Sequence, residues 1–168
     1  MPALPSNLQL LAQEVFELLN ARKETVSIME TASGGLISAS LISLPGASAI
    51  YKGGLTVYTL ESRLAFAGWT PADVENYRGP TTNIVAQLAG HVRQSLKSTY
   101  GLSESGTAGP TGGSSKNRTP GYVAVAVSTA QRTYTREVAT GDDDREKKYD
   151  CLRYDNFGAA ERSFAGMI

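Results

Sequence analysis

The sequence predicts an α/β domain with helices on both faces of a sheet, and three observations carry that reading. Helix-period and strand-like segments alternate along the chain, and no internal repeat interrupts them. The length of 168 residues, 41% of them hydrophobic, suits one core and not two. A single domain with its core over about residues 8–165 is expected.

The elements follow in order. Ser6 to Asn20 opens with the capping-box pattern Ser6-x-x-Gln9 and sets Leu8, Leu11, Val15, Leu18 and Leu19 at helical spacing, which predicts an amphipathic first helix. The β-branched "TVSIM" reads as a short strand, and Leu36 to Leu44 as a helix stopped by "PGAS". "AIYKGGLTVYTL" has strand composition, with Gly53-Gly54 marking a bend or bulge. Short helical pieces are expected around Glu61 to Ala67 and Pro71 to Tyr77.

Thr82 to Lys97 puts Ile84, Val85, Leu88, Ala89, Val92 and Leu96 on one face of a helix. "SESGTAGPTGGSSKNRTPG" is expected as an irregular loop, because Gly, Ser and Thr dominate it. "YVAVAVST" and "RTYTREVAT" then read as neighbouring strands joined by a polar turn at Ala130 to Arg132. Asp142 to Asp144 favour the start of a final helix running toward Phe164.

Composition excludes several classes of function. Sixteen basic residues balance sixteen acidic ones, so no global charge suits nucleic acid or an anionic membrane, and a compact small molecule is the expected partner. Cys151 is the only cysteine, which rules out an internal disulfide and points to a reducing compartment. "MPALPSNLQLLAQ" lacks the basic and apolar regions of a signal peptide, and no stretch approaches the roughly 18 apolar residues of a membrane span. A cytoplasmic protein is the expectation.

Three stretches can carry chemistry. At "METASGG" a strand gives way to a helix, so Thr31 and Ser33 can cap that helix, or, with Gly34 and Gly35, admit a ligand to backbone N–H groups. "SESGTAGPTGG" can form a nest for an oxyanion or phosphate or be a plain surface turn, and it matches neither common nucleotide-binding glycine pattern. "VYTLESR" can aim Tyr58, Glu61 and Arg63 at one pocket, or be a packing aromatic followed by a solvated helix start. His91, the only histidine, sits mid-helix, which argues against a Ser-His-Asp triad and against a metal site of the H-E-x-x-H type.

Taken together, "ETASGG" (30–35), "LPGAS" (44–48), "YKGGLTVYTLESR" (51–63), "SGTAGPTGGS" (105–114) and "TGDDDR" (140–145) resemble the CinA C-terminal domain family, whose members include nicotinamide mononucleotide deamidases. The resemblance runs from about residue 8 to about residue 160. It implies a three-layer α/β/α sandwich that hydrolyses the carboxamide of nicotinamide mononucleotide to nicotinic acid mononucleotide and ammonia, with no metal or other cofactor. It further implies a homodimer and a stand-alone form without the family's N-terminal partner domain.

Site residues carry over position by position. The family's E-S-C-T-G-G is matched by Glu30, Thr31, Ala32, Ser33, Gly34 and Gly35, which puts Thr31 at the nucleophile position with the two hydroxyl types exchanged. Its Y-S-N-E-A-K becomes Tyr58 to Arg63, and an arginine there can hold a phosphate but does not act as a base, which leaves Tyr58 to move the proton. Ser105, Gly106, Thr107, Ala108 and Gly109 match the substrate-cradling loop, and Arg145 matches a phosphate-binding arginine. A contact between Thr31 or Ser33 and Tyr58 would favour catalysis. Hydroxyls consumed as helix caps would favour a catalytically weak or inactive relative that binds a nucleotide or sugar-phosphate.

Overall fold

The computed structural model describes residues 6–139. Arg145, Cys151 and the expected final helix lie outside them. Helix α1 (Ser6–Arg22) leads into strand β1 (Val26–Glu30), helix α2 (Leu36–Ile42) and strand β2 (Tyr51–Thr56). Two short helices, α3 (Leu60–Phe66) and α4 (Pro71–Glu75), precede the long α5 (Thr82–Leu96). Strands β3 (Tyr100–Thr107), β4 (Tyr122–Ser128) and β5 (Thr133–Ala139) complete the described elements.

The five strands form one sheet in the order β2-β1-β3-β4-β5. Strand β1 pairs parallel with both β2 and β3, while β3, β4 and β5 pair antiparallel. Side-chain alternation divides the interior between two helical layers. Val26 and Ile28 of β1 and Val123, Val125 and Val127 of β4 pack with Ala12, Val15 and Leu19 of α1 and Ile37 and Leu41 of α2. On the opposite face Met29 packs with Leu88 and Val92 of α5, and Tyr122, Ala124 and Ala126 pack with Val85 and Ala89. The fold is thus the expected three-layer α/β/α arrangement.

Helix α5 sits very close to the sheet, and this explains both the alanines of β4 and the character of β3. A Cβ on Gly101 would overlap the carbonyl oxygen of Ala89 and come within 2.7 Å of Arg93 Cβ. The buried Ser103 hydroxyl donates to the Val85 carbonyl of the same helix. Here the expectation of a loop beginning at Ser103 is corrected, because Ser103–Thr107 are the second half of β3. Its backbone is paired on one side with β1 through Ser103 and on the other with β4 as far as Thr107. Small residues of low strand propensity are held extended by two neighbours and a close helix, which overrides the local preference.

The expected irregularity in β2 is present. Val26 lies opposite Tyr51 and Ser27 opposite Gly53, so Lys52 is an extra residue bulged out of the ladder. At the other end of the sheet the polar turn closes through Thr129, whose backbone N–H and hydroxyl both donate to the Arg132 carbonyl. Among the described residues no helix is long and apolar enough to cross a membrane.

The approach of α5 makes a direct prediction. Gly101→Ala should destabilise the domain by about 3 kcal/mol or more, since the added methyl meets backbone that cannot move aside. Urea unfolding monitored by circular dichroism measures it.

Candidate active site

In the parallel half of the sheet the chain runs from β1 out to β2 and then returns to the other side of β1 as β3. The switch in direction therefore falls between the carboxyl ends of β1 and β3, where open α/β sheets place their ligands. The ends of those strands carry Glu30, Thr31, Glu104 and Ser105.

Glu30 is 1% exposed, and both its oxygens are fully engaged. Oε1 accepts from the Ser38 backbone N–H at 2.9 Å and the Ser38 hydroxyl at 2.6 Å. Oε2 accepts from the N–H groups of Gly35 (2.9 Å) and Ile37 (3.1 Å) and from the Ser33 hydroxyl at 2.7 Å. This corrects the expectation that Thr31 and Ser33 cap α2. The N-cap residue is Gly35, with no side-chain cap bond of its own, and the strand's last carboxylate satisfies the first turn instead. Gly34 and Gly35, with φ of 65° and 97°, make the left-handed turn that brings those N–H groups back over Glu30.

Glu104, which the sequence reading did not single out, lies across from it and is also 1% exposed. Its Oε1 accepts from the backbone N–H groups of Thr31 (2.7 Å) and Ser33 (2.8 Å), and the Ser33 hydroxyl stands 2.7 Å away. One serine hydroxyl thus touches two carboxyl groups at 2.7 Å, yet it has one proton to give. The second short contact requires a proton on a carboxyl group. Burial, foremost, pushes Glu104 above its ordinary value of 4.5, with the nearby Glu30 charge adding to the rise against the lowering effect of its hydrogen bonds. Its Oε2 is buried with no partner among the described residues, which a neutral carboxyl tolerates better than a charged one. Burial, the unpartnered Oε2 and the two short contacts of one hydroxyl all favour the neutral form of Glu104.

The Thr31 hydroxyl is used differently. Thr31 is 2% exposed, and its Oγ1 donates to Ser105 Oγ at 3.1 Å. Neither Thr31 nor Ser33 bonds to Tyr58, which stands 71% exposed. Both discriminating expectations fail. The hydroxyls are neither paired with the phenol nor spent as caps.

"VYTLESR" is split by the structure. Thr59 caps α3 through a capping box with Ser62, and Glu61 faces solvent, held below its usual range by its own backbone N–H and by Thr59. Arg63 is 4% exposed, and its guanidinium lies 5.1 Å from the ring centres of both Trp69 and Tyr77. Its Nε donates to the Val57 carbonyl at 3.3 Å. The Gly-rich loop does meet Tyr58. A cavity of about 320 Å³ is lined by Tyr58, Tyr77, Gly79, Pro80, Gly106 to Gly109, Thr111, Gly112 and Arg118. Thr31, Ser33, Ser105 and Arg63 are not in its lining. Arg118 and Tyr77 are cavity residues that the sequence reading missed, and the basic "SSKNR" within a Gly/Ser-rich loop is the signal that could have found the first.

Fold and site together define a three-layer α/β protein with a hydroxyl and carboxyl cluster at the switch point of its parallel strands. The profile described as the CinA C-terminal domain matches residues 8–153, and the chain belongs to that family. A CinA-like protein of Shewanella piezotolerans is 35% identical over 133 residues, 79% of this chain and 31% of that protein. A protein of Shewanella oneidensis named nicotinamide-nucleotide amidohydrolase PncC is 34% identical over 129 residues, 76% of this chain and 30% of that one. The chain thus spans about three-tenths of the length of these relatives. Among solved structures, the competence/damage inducible protein CihA from Agrobacterium tumefaciens matches with a TM-score of 0.86 at 22% identity, covering 99% of this chain and 98% of that one. A CinA superfamily protein from Escherichia coli matches with a TM-score of 0.83 at 16% identity, covering 100% and 95%. At such identities the likeness is one of fold.

Two outcomes follow from the carboxyl pair. Because the Glu104 carboxyl binds its proton more tightly folded than unfolded, its stabilisation is complete below about pH 4.5 and is lost as pH rises through the raised value. Glu104→Gln should flatten that decline in thermal melts taken across pH 4 to 8, whereas an unchanged slope would place the proton elsewhere. Ser33→Ala removes the hydroxyl that both carboxyls contact and should cost about 2 kcal/mol in urea unfolding.

Proposed function

We propose that the chain is an amidohydrolase acting on a pyridine mononucleotide, converting nicotinamide mononucleotide and water to nicotinic acid mononucleotide and ammonia. The observation that carries the reading is the Thr31–Ser105 hydroxyl pair, aligned at 3.1 Å at the strand switch point beside the Gly-rich cavity. Family membership and 34% identity to a named nicotinamide-nucleotide amidohydrolase support it.

In this reading Thr31 Oγ1 attacks the carboxamide carbon as its proton passes to Ser105 Oγ, the oxygen it already faces, and Ser105 gives up its own hydroxyl proton toward Tyr58. Glu104 holds the Thr31 backbone N–H and so fixes where the attacking oxygen points. Backbone N–H groups from Gly106 to Gly109 stabilise the oxyanion. Tyr58 takes that proton as it gives its own to the nitrogen, so ammonia leaves as the C–N bond breaks, and water then adds to the Thr31 ester, its proton returning to Thr31 Oγ1 as the acid is released. Ser33, bound between two carboxyls, positions the turn and does not attack. Arg145, outside the described residues, keeps the phosphate role that the family resemblance implies.

A second reading is a binding module of weak or no activity. The burial of the Thr31 hydroxyl and the enclosure of Arg63 between Trp69 and Tyr77 favour it.

Ammonia release from nicotinamide mononucleotide separates the two. Thr31→Ala should lower turnover by about 100-fold or more, and Thr31→Ser should match or exceed the parent because it removes a methyl group beside the attacking oxygen. Turnover retained in Thr31→Ala overturns the assignment. Binding without turnover in the parent chain establishes the module.

A further inference from the structure

The cavity beside the site carries a positive charge in its wall. Among the described residues Arg118 is the only charged side chain in its lining, and none of the lining residues is a carboxylate. The remaining lining offers tyrosine and threonine hydroxyls and backbone groups. Lys116, two residues away, is occupied by Glu137 at 2.6 Å, which leaves Arg118 as the cation of this turn that faces the cavity.

The position of Arg118 is built. It ends a single 3-10 turn (Lys116–Arg118), and its backbone N–H donates to the Ser115 carbonyl at 2.9 Å. Its own carbonyl accepts from the Gly113 N–H at 2.9 Å, and Thr107 on β3 holds the preceding carbonyl, that of Asn117, at 2.8 Å. The Asn117 amide donates to the Arg78 carbonyl at 3.2 Å, tying this loop to the opposite wall at Gly79 and Pro80. The arginine stem runs between two glycines. A Cβ on Gly79 would reach 3.0 Å from Arg118 Cγ, and one on Gly113 would reach 3.1 Å from its Cβ and 3.2 Å from its Cδ. Both glycines leave the space that the stem occupies, so Arg118 lines the cavity from a braced loop.

We infer that Arg118 binds the phosphate of a nucleoside monophosphate in this cavity. The assignment rests on the mononucleotide reading above and adds the residue that discriminates phosphorylated from dephosphorylated ligand. A guanidinium meets a phosphate through two parallel N–H···O bonds, and backbone N–H groups of the facing glycine loop complete the oxyanion's partners. A nucleoside that lacks the phosphate makes neither contact.

Calorimetry with nicotinamide mononucleotide and nicotinamide riboside, its dephosphorylated nucleoside, tests this on the full chain, on Arg118→Met and on Arg118→Lys. The parent chain should prefer the mononucleotide by about tenfold or more. Arg118→Met should lose most of that preference by weakening the mononucleotide alone, and Arg118→Lys should recover part of it, since a point charge replaces the fork. Thermal melts of all three proteins confirm a common fold, and inorganic phosphate should compete in the parent chain. A preference that survives in Arg118→Met overturns the inference, as does a parent chain that binds both ligands equally or neither. The outcome is separable from catalysis. Absent ammonia release with an Arg118-dependent phosphate preference sinks the amidohydrolase and keeps this assignment, whereas ammonia release with the preference intact in Arg118→Met does the reverse.

Discussion

Two carboxyl groups meeting over one serine hydroxyl organise the centre of this domain. Each alone would be costly to bury, and each is tolerated because the chain supplies donors from a single short turn. Glu30 ends β1 and accepts from the first turn of α2, so strand and helix are fixed to each other by a side chain and not by loop geometry. Glu104 reaches across from β3 to the same turn and accepts from the backbone of Thr31 and Ser33. The turn is gripped from both sides. The direction of the Thr31 hydroxyl toward Ser105 follows from that grip.

Much of the fold was legible from periodicity. The helices around α1, α2 and α5 and the β4–β5 hairpin announce themselves because their packing faces are regular and their ends carry turn residues. Strand β3 was not, since α5 approaches so closely that only Gly, Ser and similarly small groups fit on its facing side, and such residues in sequence look like a loop. Glu104 was missed for the same reason. It is a single acid within apparent loop sequence, and its burial is decided by β1 and α2, far away along the chain. The Glu30-to-Gly35 segment was singled out as a candidate site from its residue types, while the division of labour within it, carboxylate as cap and hydroxyl as bridge, required three dimensions.

Arg63 illustrates how a familiar pattern can place a different residue to different effect. Its position matches a lysine in the family's block, yet the guanidinium has flat faces that an ammonium lacks, and here two aromatic rings take them. The charge is drawn into the packing of Val57, Trp69 and Tyr77. Tyr77 also lines the cavity, so the buried cation supports the wall of the pocket from behind. Arg118 then stands on the open side of that same space, and the two arginines divide the work of support and contact.

The bulge at Lys52 bears on how this edge of the protein can change length. Faces alternate every residue along a strand, so the extra residue is what allows Tyr51 and Gly54, three apart, to share the face toward α2. A Cβ on Gly54 would stand 2.8 Å from Ser38 Oγ, and Tyr51 lies near enough to hydrogen-bond Ser38, the residue that holds Glu30. Loss of the bulged residue would leave Tyr51 and Gly54 two apart in a regular strand, still on one face. Loss of two would leave them adjacent and turn one of them outward. The edge strand can therefore give up Lys52 alone, and a relative shorter by two within it must brace the turn around Ser38 some other way.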